Sequence, residues 1–256
     1  MIKEVVLEAV KKAGVFALEK QSNFGEVVEK STNDFFTEVD VGAEKIIIDH
    51  IRSKLPDAAF YGEESGRQGK GELLFVIDPI DGTTNYIHEL PFFAICVAVY
   101  QKNVPILGVI SCPALGTLYV AAKGEGAFCN GQKITVSSVS DLGQAVVGYN
   151  KSQHKEGIKK RCKEVISRVI DSAATFRALG TGVIEYCYTA SGSLDVCISP
   201  KAEPFHSAGY IIMEEAGAKV TDWDGNPHQL DSKTLISANP VLYEQVLELV
   251  RGLDKD

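Results

Sequence analysis

The chain has 256 residues, of which 45% are hydrophobic and 23% are charged, a globular composition that excludes a disordered or collagen-like protein. Its formal net charge of −8 argues against a protein that coats nucleic acid or an anionic membrane. No stretch approaches the roughly 18 apolar residues of a membrane span, and the first residues carry acids, unlike a signal peptide. The six cysteines form no C-x-x-C pair and lie in apolar strings, which predicts buried thiols in a reducing, cytoplasmic compartment.

In the first half, apolar residues at helical spacing predict amphipathic helices over residues 2–20 and 37–55. The short apolar run Leu73 to Ile77 predicts a buried strand that ends at Asp78-Pro79. Runs rich in β-branched and aromatic residues predict further strands over 92–100, 106–111 and 117–122. Asn130-Gly131 predicts a hairpin turn, followed by a strand over 133–136.

In the second half, strands alternate with helices. The predicted strands are 146–149, 175–179, 195–198, 220–221 and 235–237. The predicted helices are 155–171, 183–190, 206–216 and 240–253, with Pro240 in the first turn of the last. No linker or repeat separates the halves, so we predict one domain over 1–256, with an α+β half to about residue 145 and an α/β half after it.

The strongest chemical signal is the segment Asp78-Pro79-Ile80-Asp81-Gly82-Thr83-Thr84-Asn85, which follows a predicted buried strand. It places two carboxylates at a strand end, beside a glycine and two hydroxyl side chains. Carboxylate oxygens on a rigid base suit a hard divalent cation and leave positions for water and phosphate. Asp-Pro and Asp-Gly are also common turn dipeptides, so a plain turn is the alternative.

Two further acidic segments lie upstream. Taken alone, Gly62-Glu63-Glu64-Ser65 is typical of a solvated loop, and Thr37-Glu38-Val39-Asp40 is typical of a helix cap. In chain order, however, the three segments give T-x-x-D, G-E-E-S and D-P-I-D-G-T-T-N. This order and the length of the last string make a chance occurrence a poor explanation.

The series of motifs resembles the inositol monophosphatase family, which belongs to the lithium-sensitive, magnesium-dependent phosphatases together with fructose-1,6-bisphosphatases and 3′-phosphonucleotide phosphatases. The resemblance extends from about residue 30 to about residue 240. Its later matches are the K-G-x-G-A-F-x-N-G hairpin at Lys123 to Gly131, Gly180-Thr181, and Glu215-Ala216-Gly217. It implies the layered αβαβα sandwich of the sugar-phosphatase fold, mixed α+β and α/β, and a homodimer.

The resemblance also implies a metal site with up to three Mg²⁺ ions, or Mn²⁺ or another divalent metal in their place. Glu63, Asp78 and the carbonyl of Ile80 would hold the first ion. Asp78 and Asp81 would hold the second, with Asp78 bridging the two. The third and weakest ion would contact Glu63, with Asp40 nearby.

Catalytic and substrate roles follow from the same resemblance. Thr83, paired with Asp40, would orient and activate the attacking water together with Glu63. The backbone amides of Gly82 and Thr83 would bind the phosphate at a helix start, and Gly180-Thr181 would lie on the substrate side. The implied reaction is hydrolysis of a small phosphate monoester by metal-activated water.

One segment departs from the family pattern W-D-x-A-A-G, whose Asp is a ligand of the second metal. Counting forward from Asp195 places His206 on that Asp, whereas counting back from Glu215 places Phe205 there, so the segment is one residue short. We prefer His206 as the ligand, with Phe205 at the Trp, and expect a shift towards Mn²⁺, Zn²⁺ or Co²⁺. A histidine that merely packs beside the site, and Glu203 as a substitute ligand, are the alternatives.

The substrate is less well defined. Family members that recognise inositol often carry a Glu where this chain has Ser199, and Lys201 is either a contact for a second phosphate or a solvated loop lysine. We predict hydrolysis of inositol monophosphate, fructose 1,6-bisphosphate or both, by a protein that binds neither nucleic acid nor membrane. The alternatives are a 3′-phosphonucleotide phosphatase and a catalytically impaired relative that binds a phosphorylated ligand or a protein partner.

Overall fold

Seven helices and three β-sheets are present in the residues that the computed structural model describes, 1–31, 34–150 and 156–253. The helices are α1 (Ile2–Lys20), α2 (Glu38–Lys54), α3 (Thr83–Ile87), α4 (Glu156–Ser172), α5 (Gly182–Ala190), α6 (Ser207–Glu215) and α7 (Tyr243–Val250). The strands are β1 (Val27–Ser31), β2 (Asp34–Thr37), β3 (Ala59–Gly62), β4 (Gly66–Gln68), β5 (Leu73–Asp81), β6 (Ala94–Gln101), β7 (Val104–Cys112), β8 (Thr117–Ala122), β9 (Gly126–Cys129), β10 (Gln132–Ile134), β11 (Val146–Tyr149), β12 (Thr175–Arg177), β13 (Val196–Ser199), β14 (Lys219–Thr221) and β15 (Leu235–Ala238). Among the described helices, none is both long and apolar enough to cross a membrane.

The two large sheets stack with helices in five layers. The eight-stranded sheet has the order β10-β9-β8-β7-β6-β5-β3-β4, and the five-stranded sheet has the order β12-β11-β13-β15-β14. Helices α1 and α2 cover the outer face of the larger sheet, α5 and α6 pack between the sheets, and α4 and α7 cover the outer face of the smaller one. The predicted αβαβα sandwich is therefore confirmed.

The central strands of the larger sheet are buried on both faces, which explains their continuous apolar runs. Along β6, Ala94, Cys96 and Ala98 contribute to the core beneath α5 and α6, whereas Ile95 and Val97 contribute to the core beneath α1 and α2. All six cysteines are free, and five of them are buried, as expected for thiols used as small apolar side chains.

The predicted Asn-Gly turn is present between β9 and β10. Asn130 and Gly131 both have positive φ, 48° and 79°, as a tight hairpin turn of this kind requires. The strand predicted over 133–136 is shorter than expected, because β10 ends at Ile134 and the amide of Val136 bonds to the carbonyl of Ala216 instead.

Four strands, β1 to β4, are missing from the sequence prediction. They have three to five residues each, so they carry too little apolar periodicity to be recognised. The helix predicted over 240–253 is wrong at both ends, since α7 covers Tyr243–Val250. The Asn239 side chain accepts hydrogen bonds from the amides of Val241 and Leu242, both at 3.0 Å, and so places Pro240 in a turn before the helix.

The boundary predicted near residue 145 coincides with the change of sheet. Every strand of the eight-stranded sheet precedes residue 135, and every strand of the five-stranded sheet lies between residues 146 and 238. That residues 1–256 fold as one domain stays a prediction.

Candidate active site

The two aspartates of the central motif lie at the end of β5. Residues three apart on a regular strand point to opposite faces of the sheet. Here Asp78 pairs with Cys96 and Asp81 with Ala94, so β5 has one residue more than β6 between these pairs. This β-bulge contains Pro79, which has no N–H to donate to the ladder. It brings both carboxylates to the same side.

His206 meets the two carboxylates from the other half of the chain. It ends the short 3₁₀ turn Pro204–His206 before α6, and its Nε2 lies 3.5 Å from Asp78 Oδ2 and 3.3 Å from Asp81 Oδ1. One ligand atom from each of these residues lies within 4.8 Å of those of the other two. The Phe205 ring instead packs on Tyr61, with 4.8 Å between ring centroids. The forward count that placed His206 at the family's Asp thus agrees with the geometry.

Asp81 is held by the start of α5. Its Oδ2 accepts hydrogen bonds from the Thr181 hydroxyl and, at 2.8 Å, from the amide of Val183, which leaves Oδ1 directed at His206. Thr181 is only 1% exposed, and its hydroxyl donates its hydrogen bond to Asp81. The substrate contact predicted for Thr181 and Gly180 stays a prediction.

Asp78 has room for a further partner. Its Oδ1 is buried and has no hydrogen-bond partner within the described part of the chain, which is unusual for a carboxylate oxygen. Glu63 lies close enough to influence the pKa of Asp78. The site therefore brings together two carboxylates and an imidazole, and one oxygen of the Asp78 carboxylate is buried without a partner among the described residues. Such a donor set suits a divalent cation.

Burial and mutual charge perturb all three groups. Burial, together with the Asp81 carboxylate, raises the pKa of Asp78 to about 6, against the opposing effect of His206. Burial also acts to raise the pKa of Asp81, but His206 and the hydrogen bonds from Thr181 and Val183 outweigh it and lower that pKa. Burial acts to lower the pKa of His206, and the two carboxylates raise it well above its ordinary value. Positive charge is therefore strongly favoured at this point.

Asp40 and Thr83 form the predicted pair. Asp40 Oδ1 accepts a hydrogen bond from Thr83 Oγ1 at 3.2 Å, and its Oδ2 accepts bonds from the amide and hydroxyl of Thr37 at 2.8 and 2.7 Å. The helix-cap interpretation therefore also holds, because Thr37 and Asp40 form a capping box at the start of α2. Burial raises the pKa of Asp40, against the hydrogen bonds from Thr37 and Thr83.

The Thr83 hydroxyl is shared with a second acceptor. Thr83 Oγ1 also lies 3.0 Å from the carbonyl oxygen of Ile80, the group predicted to be a metal ligand. A carbonyl oxygen has two lone pairs, so this bond still leaves it able to bind a cation. With its proton directed at Asp40 or Ile80, the Thr83 oxygen is free to accept a hydrogen bond from a water.

Gly82 and Gly180 occupy positions that other residues would strain. Gly82 caps α3 with φ of 90°, and a Cβ there would lie 2.8 Å from the Phe92 carbonyl oxygen. Gly180 has φ of 75° and lies against Asn85. The Asn85 side chain donates hydrogen bonds at 2.8 Å to the carbonyls of Phe92 and Leu179, and so ties α3 to the segment before α5. Asn85 is the last residue of the D-P-I-D-G-T-T-N segment, and the sequence predicted no role for it.

The remaining candidates lie beside the cluster without joining it. Ser199 is fully buried and donates a hydrogen bond to the Lys201 carbonyl at 2.8 Å. Lys201 forms an ion pair with Glu203, whose carbonyl accepts a hydrogen bond from the amide of His206 at 3.1 Å. This arrangement favours His206 over Glu203 as the group that stands at the family's Asp.

Two residues near the site escaped sequence reasoning. Asn150 follows β11, and a Cβ on Gly182 would lie 2.5 Å from its Nδ2 and 3.2 Å from His206 Nδ1. Glu44 lies one turn after Asp40 on α2, and its carboxylate accepts hydrogen bonds from the amides of Glu64 and Ser65 at 3.0 and 2.9 Å. An acid within the apolar stripe of α2 is the sequence signal that could have identified Glu44.

Comparisons with known proteins agree on one family. The profile of the inositol monophosphatase family matches residues 2–255. The chain is 35% identical to the fructose-1,6-bisphosphatase/inositol-1-monophosphatase of Thermotoga maritima, over 87% of this chain and 86% of the relative. It is 31% identical to the Nus factor SuhB of Vibrio cholerae, over 96% and 94% of the two chains. The crystal structure of the extragenic suppressor protein suhB from Bartonella henselae matches with a TM-score of 0.94, 28% identity and 98% coverage of both chains.

Proposed function

This chain belongs to the inositol monophosphatase family, a family of phosphatases, and we propose that it is a Mg²⁺-dependent phosphomonoesterase acting on a small sugar or polyol phosphate. The proposed substrates are inositol monophosphate, fructose 1,6-bisphosphate or both. The observation that supports this proposal best is the convergence of Asp78, Asp81 and His206, whose ligand atoms lie within 4.8 Å of one another, while the buried Oδ1 of Asp78 has no partner among the described residues.

The metal would be held by Asp78, Asp81 and His206, with Glu63 and the Ile80 carbonyl as further ligands. A bound divalent cation would lower the pKa of a water, neutralise charge on the phosphate and stabilise the leaving alkoxide. The Asp40–Thr83 pair would orient that water, because the Thr83 hydroxyl donates a hydrogen bond to Asp40 and its oxygen can then accept a hydrogen bond from the water. The amides of Gly82 and Thr83 would bind the phosphate, and Gly180-Thr181 would border the substrate.

The test is phosphate release from myo-inositol 1-phosphate, fructose 1,6-bisphosphate and 3′-phosphoadenosine 5′-phosphate, each with Mg²⁺, Mn²⁺, Zn²⁺ or EDTA. We expect release that depends on the metal and falls about 100-fold or more in Asp78→Asn, because the amide removes an anionic ligand. Asp49→Asn is the matched control, since Asp49 is exposed and pairs with Lys45. Release that survives EDTA or the Asp78→Asn change would refute the proposed mechanism.

A second candidate is a relative that binds a phosphorylated ligand or a protein partner with little turnover. Two observations favour it: an imidazole stands where the family has a carboxylate, and one similar protein carries the name Nus factor SuhB. No release from any of the three substrates with any metal, together with retained binding of the phosphorylated compounds, would support this candidate. Preferential release from 3′-phosphoadenosine 5′-phosphate would instead support a 3′-phosphonucleotide phosphatase.

The cytoplasmic homodimer without nucleic-acid or membrane partners is also part of this proposal. Light scattering during size-exclusion chromatography tests the dimer, and a filter-binding assay with RNA tests the absence of a nucleic-acid partner. A monomeric mass or saturable RNA binding would correct the respective part.

A further inference from the structure

Glu44 is a buried carboxylate that none of the roles described so far uses. It lies on α2, is 2% exposed, and faces the three-residue turn that joins β3 to β4. Its Oε2 accepts a hydrogen bond from the amide of Glu64 at 3.0 Å, and its Oε1 accepts one from the amide of Ser65 at 2.9 Å. Both carboxylate oxygens are thus directed at the backbone that immediately follows Glu63.

Gly62 provides the space for this contact. A Cβ at Gly62 would lie 2.4 Å from Glu44 Oε2 and 2.5 Å from Glu44 Cδ, closer than real Cβ atoms approach. No positive φ is recorded at this glycine, so its missing side chain, and not an unusual backbone, is what the position requires. The turn and the carboxylate are therefore fitted to each other.

The backbone at Glu63 is consequently held on both sides. The Glu63 amide donates to the carbonyl of Ile77 at 3.1 Å, which ties it to the strand that carries Asp78. The next two amides are tied to Glu44. Hydrogen bonds to an ionised acceptor are about twice as strong as neutral ones, and burial protects them from competition with water.

We propose that Glu44 is a positioning residue for Glu63, which holds the Glu63 carboxylate at the distance from Asp78 that a shared divalent cation requires. This role rests on the proposed function, because Glu63 as a metal ligand belongs to that proposal. Asp40, four residues earlier on the same helix, accepts a hydrogen bond from the Thr83 hydroxyl at 3.2 Å. Helix α2 thus directs two buried carboxylates at the site, one at the turn that contains Glu63 and one at the start of α3.

The test uses Glu44→Gln, which keeps the size of the side chain but has one acceptor oxygen instead of two and no charge. Gly62→Ala reaches the same contact from the opposite side, because its Cβ displaces the Glu44 carboxylate. Asp49→Asn is the matched control, an acid on the same helix that is exposed and pairs with Lys45. The rates of amide hydrogen exchange at Glu64 and Ser65 report on the turn. Calorimetry measures the affinity for Mn²⁺, and thermal melting shows whether each variant is folded.

We expect faster exchange at both amides and a Mn²⁺ affinity weaker by about 10- to 100-fold in Glu44→Gln and Gly62→Ala, the range found when groups that orient metal ligands are removed. Asp49→Asn should match the wild type in all three measurements. Wild-type Mn²⁺ affinity in a folded Glu44→Gln or Gly62→Ala variant whose turn amides exchange faster would overturn the role of Glu44. So would unchanged exchange at the two amides.

The outcomes also separate this role from the proposed function. Metal binding and hydrogen exchange need no substrate, so a wild type without phosphatase activity still tests Glu44. A wild type that binds no Mn²⁺ would overturn the proposed metal site and, with it, this role. Loss of folding in both variants would overturn the role as well, because Glu44 would then be needed for the fold as a whole.

Discussion

At the scale of single residues, the main question is what His206 does at a position where the family resemblance implies an Asp metal ligand. Its Nε2 faces both Asp78 and Asp81, so it stands where a ligand would stand. A histidine that binds metal usually donates its other ring N–H to a partner, which fixes the tautomer. Within the described residues, the buried Nδ1 of His206 has no such partner. An imidazole is a softer and uncharged ligand, so we expect His206 to bind Mg²⁺ more weakly than an Asp would at this position.

We predict that His206→Asp raises Mg²⁺-dependent phosphate release by about 10-fold, because an anionic oxygen suits Mg²⁺ better than a ring nitrogen. The variant should also lose part of any preference for Mn²⁺ or Zn²⁺. Rates measured against the concentration of each metal check both effects. An unchanged rate and an unchanged metal profile would mean that His206 is not a ligand.

At the scale of elements, α5 contributes to the site through its first turn. Thr181 caps α5 by accepting a hydrogen bond from the Ile184 amide at 3.4 Å, and its hydroxyl donates to Asp81. The amide of Val183 donates to the same oxygen of Asp81. The start of a helix carries partial positive charge, so it suits a carboxylate. One residue thus joins a helix of the second half to a strand end of the first.

Thr181→Val tests this joint, since valine keeps the shape of threonine and removes its hydroxyl. We predict a loss of about 2 kcal/mol or more in the free energy of unfolding, the sum of a lost cap and a lost bond to a charged group. Metal affinity should fall as well, whereas Thr181→Ser should restore both. Denaturant unfolding and calorimetry supply the measurements. A raised KM for substrate with unchanged stability and metal affinity would instead support the substrate contact predicted from the sequence.

At the scale of the whole molecule, the site forms where the two halves meet. Asp78 lies in the eight-stranded sheet, Glu63 lies in the turn that joins two of its strands, and Asp40 lies on helix α2 next to it. Thr181 and His206 directly precede helices α5 and α6, which lie between the two large sheets. The same inner layer buries Glu185 completely. This burial raises the pKa of Glu185 to about 8, against a hydrogen bond from the Leu179 amide that lowers it.

This buried acid makes the stability of the fold depend on pH. The pKa of Glu185 rises from 4.5 to about 8 on folding, so between these values the unfolded chain releases a proton that the folded chain keeps. The free energy of unfolding therefore falls as pH rises through this window, by a few kcal/mol for a shift of this size. We predict that Glu185→Gln flattens this dependence and is more stable than the wild type near the upper end of the window.

Urea unfolding of Glu185→Gln and the wild type at both ends of the window checks this prediction. The difference in the free energy of unfolding should grow with pH and be smallest near the lower end. A difference that does not change with pH would show that Glu185 ionises in the folded chain as it does in the unfolded chain. That result would contradict the raised pKa.

Sequence patterns alone were enough to identify the family, the layered architecture it implies, and the two aspartates that meet at the end of β5. Long motifs such as D-P-I-D-G-T-T-N and the apolar runs of buried strands are local patterns that need no knowledge of distant contacts. Short strands such as β4 escaped, because three partly exposed residues carry no such pattern. The late start of α7 escaped for a similar reason, since it depends on one side chain capping its own turn.

The arrangement of these residues depends on contacts that form only in the folded chain. A bulge in β5, which is visible only against its neighbour β6, turns Asp78 and Asp81 to the same side. Two ungapped counts left Phe205 and His206 open, and packing on Tyr61 decides which ring meets the acids. Glu44 binds amides about 20 positions away, and Thr181 binds a carboxylate 100 positions away. Such contacts arise from the packing of α2 and α5 against the sheets, because side chains distant in sequence meet only once the layers have assembled.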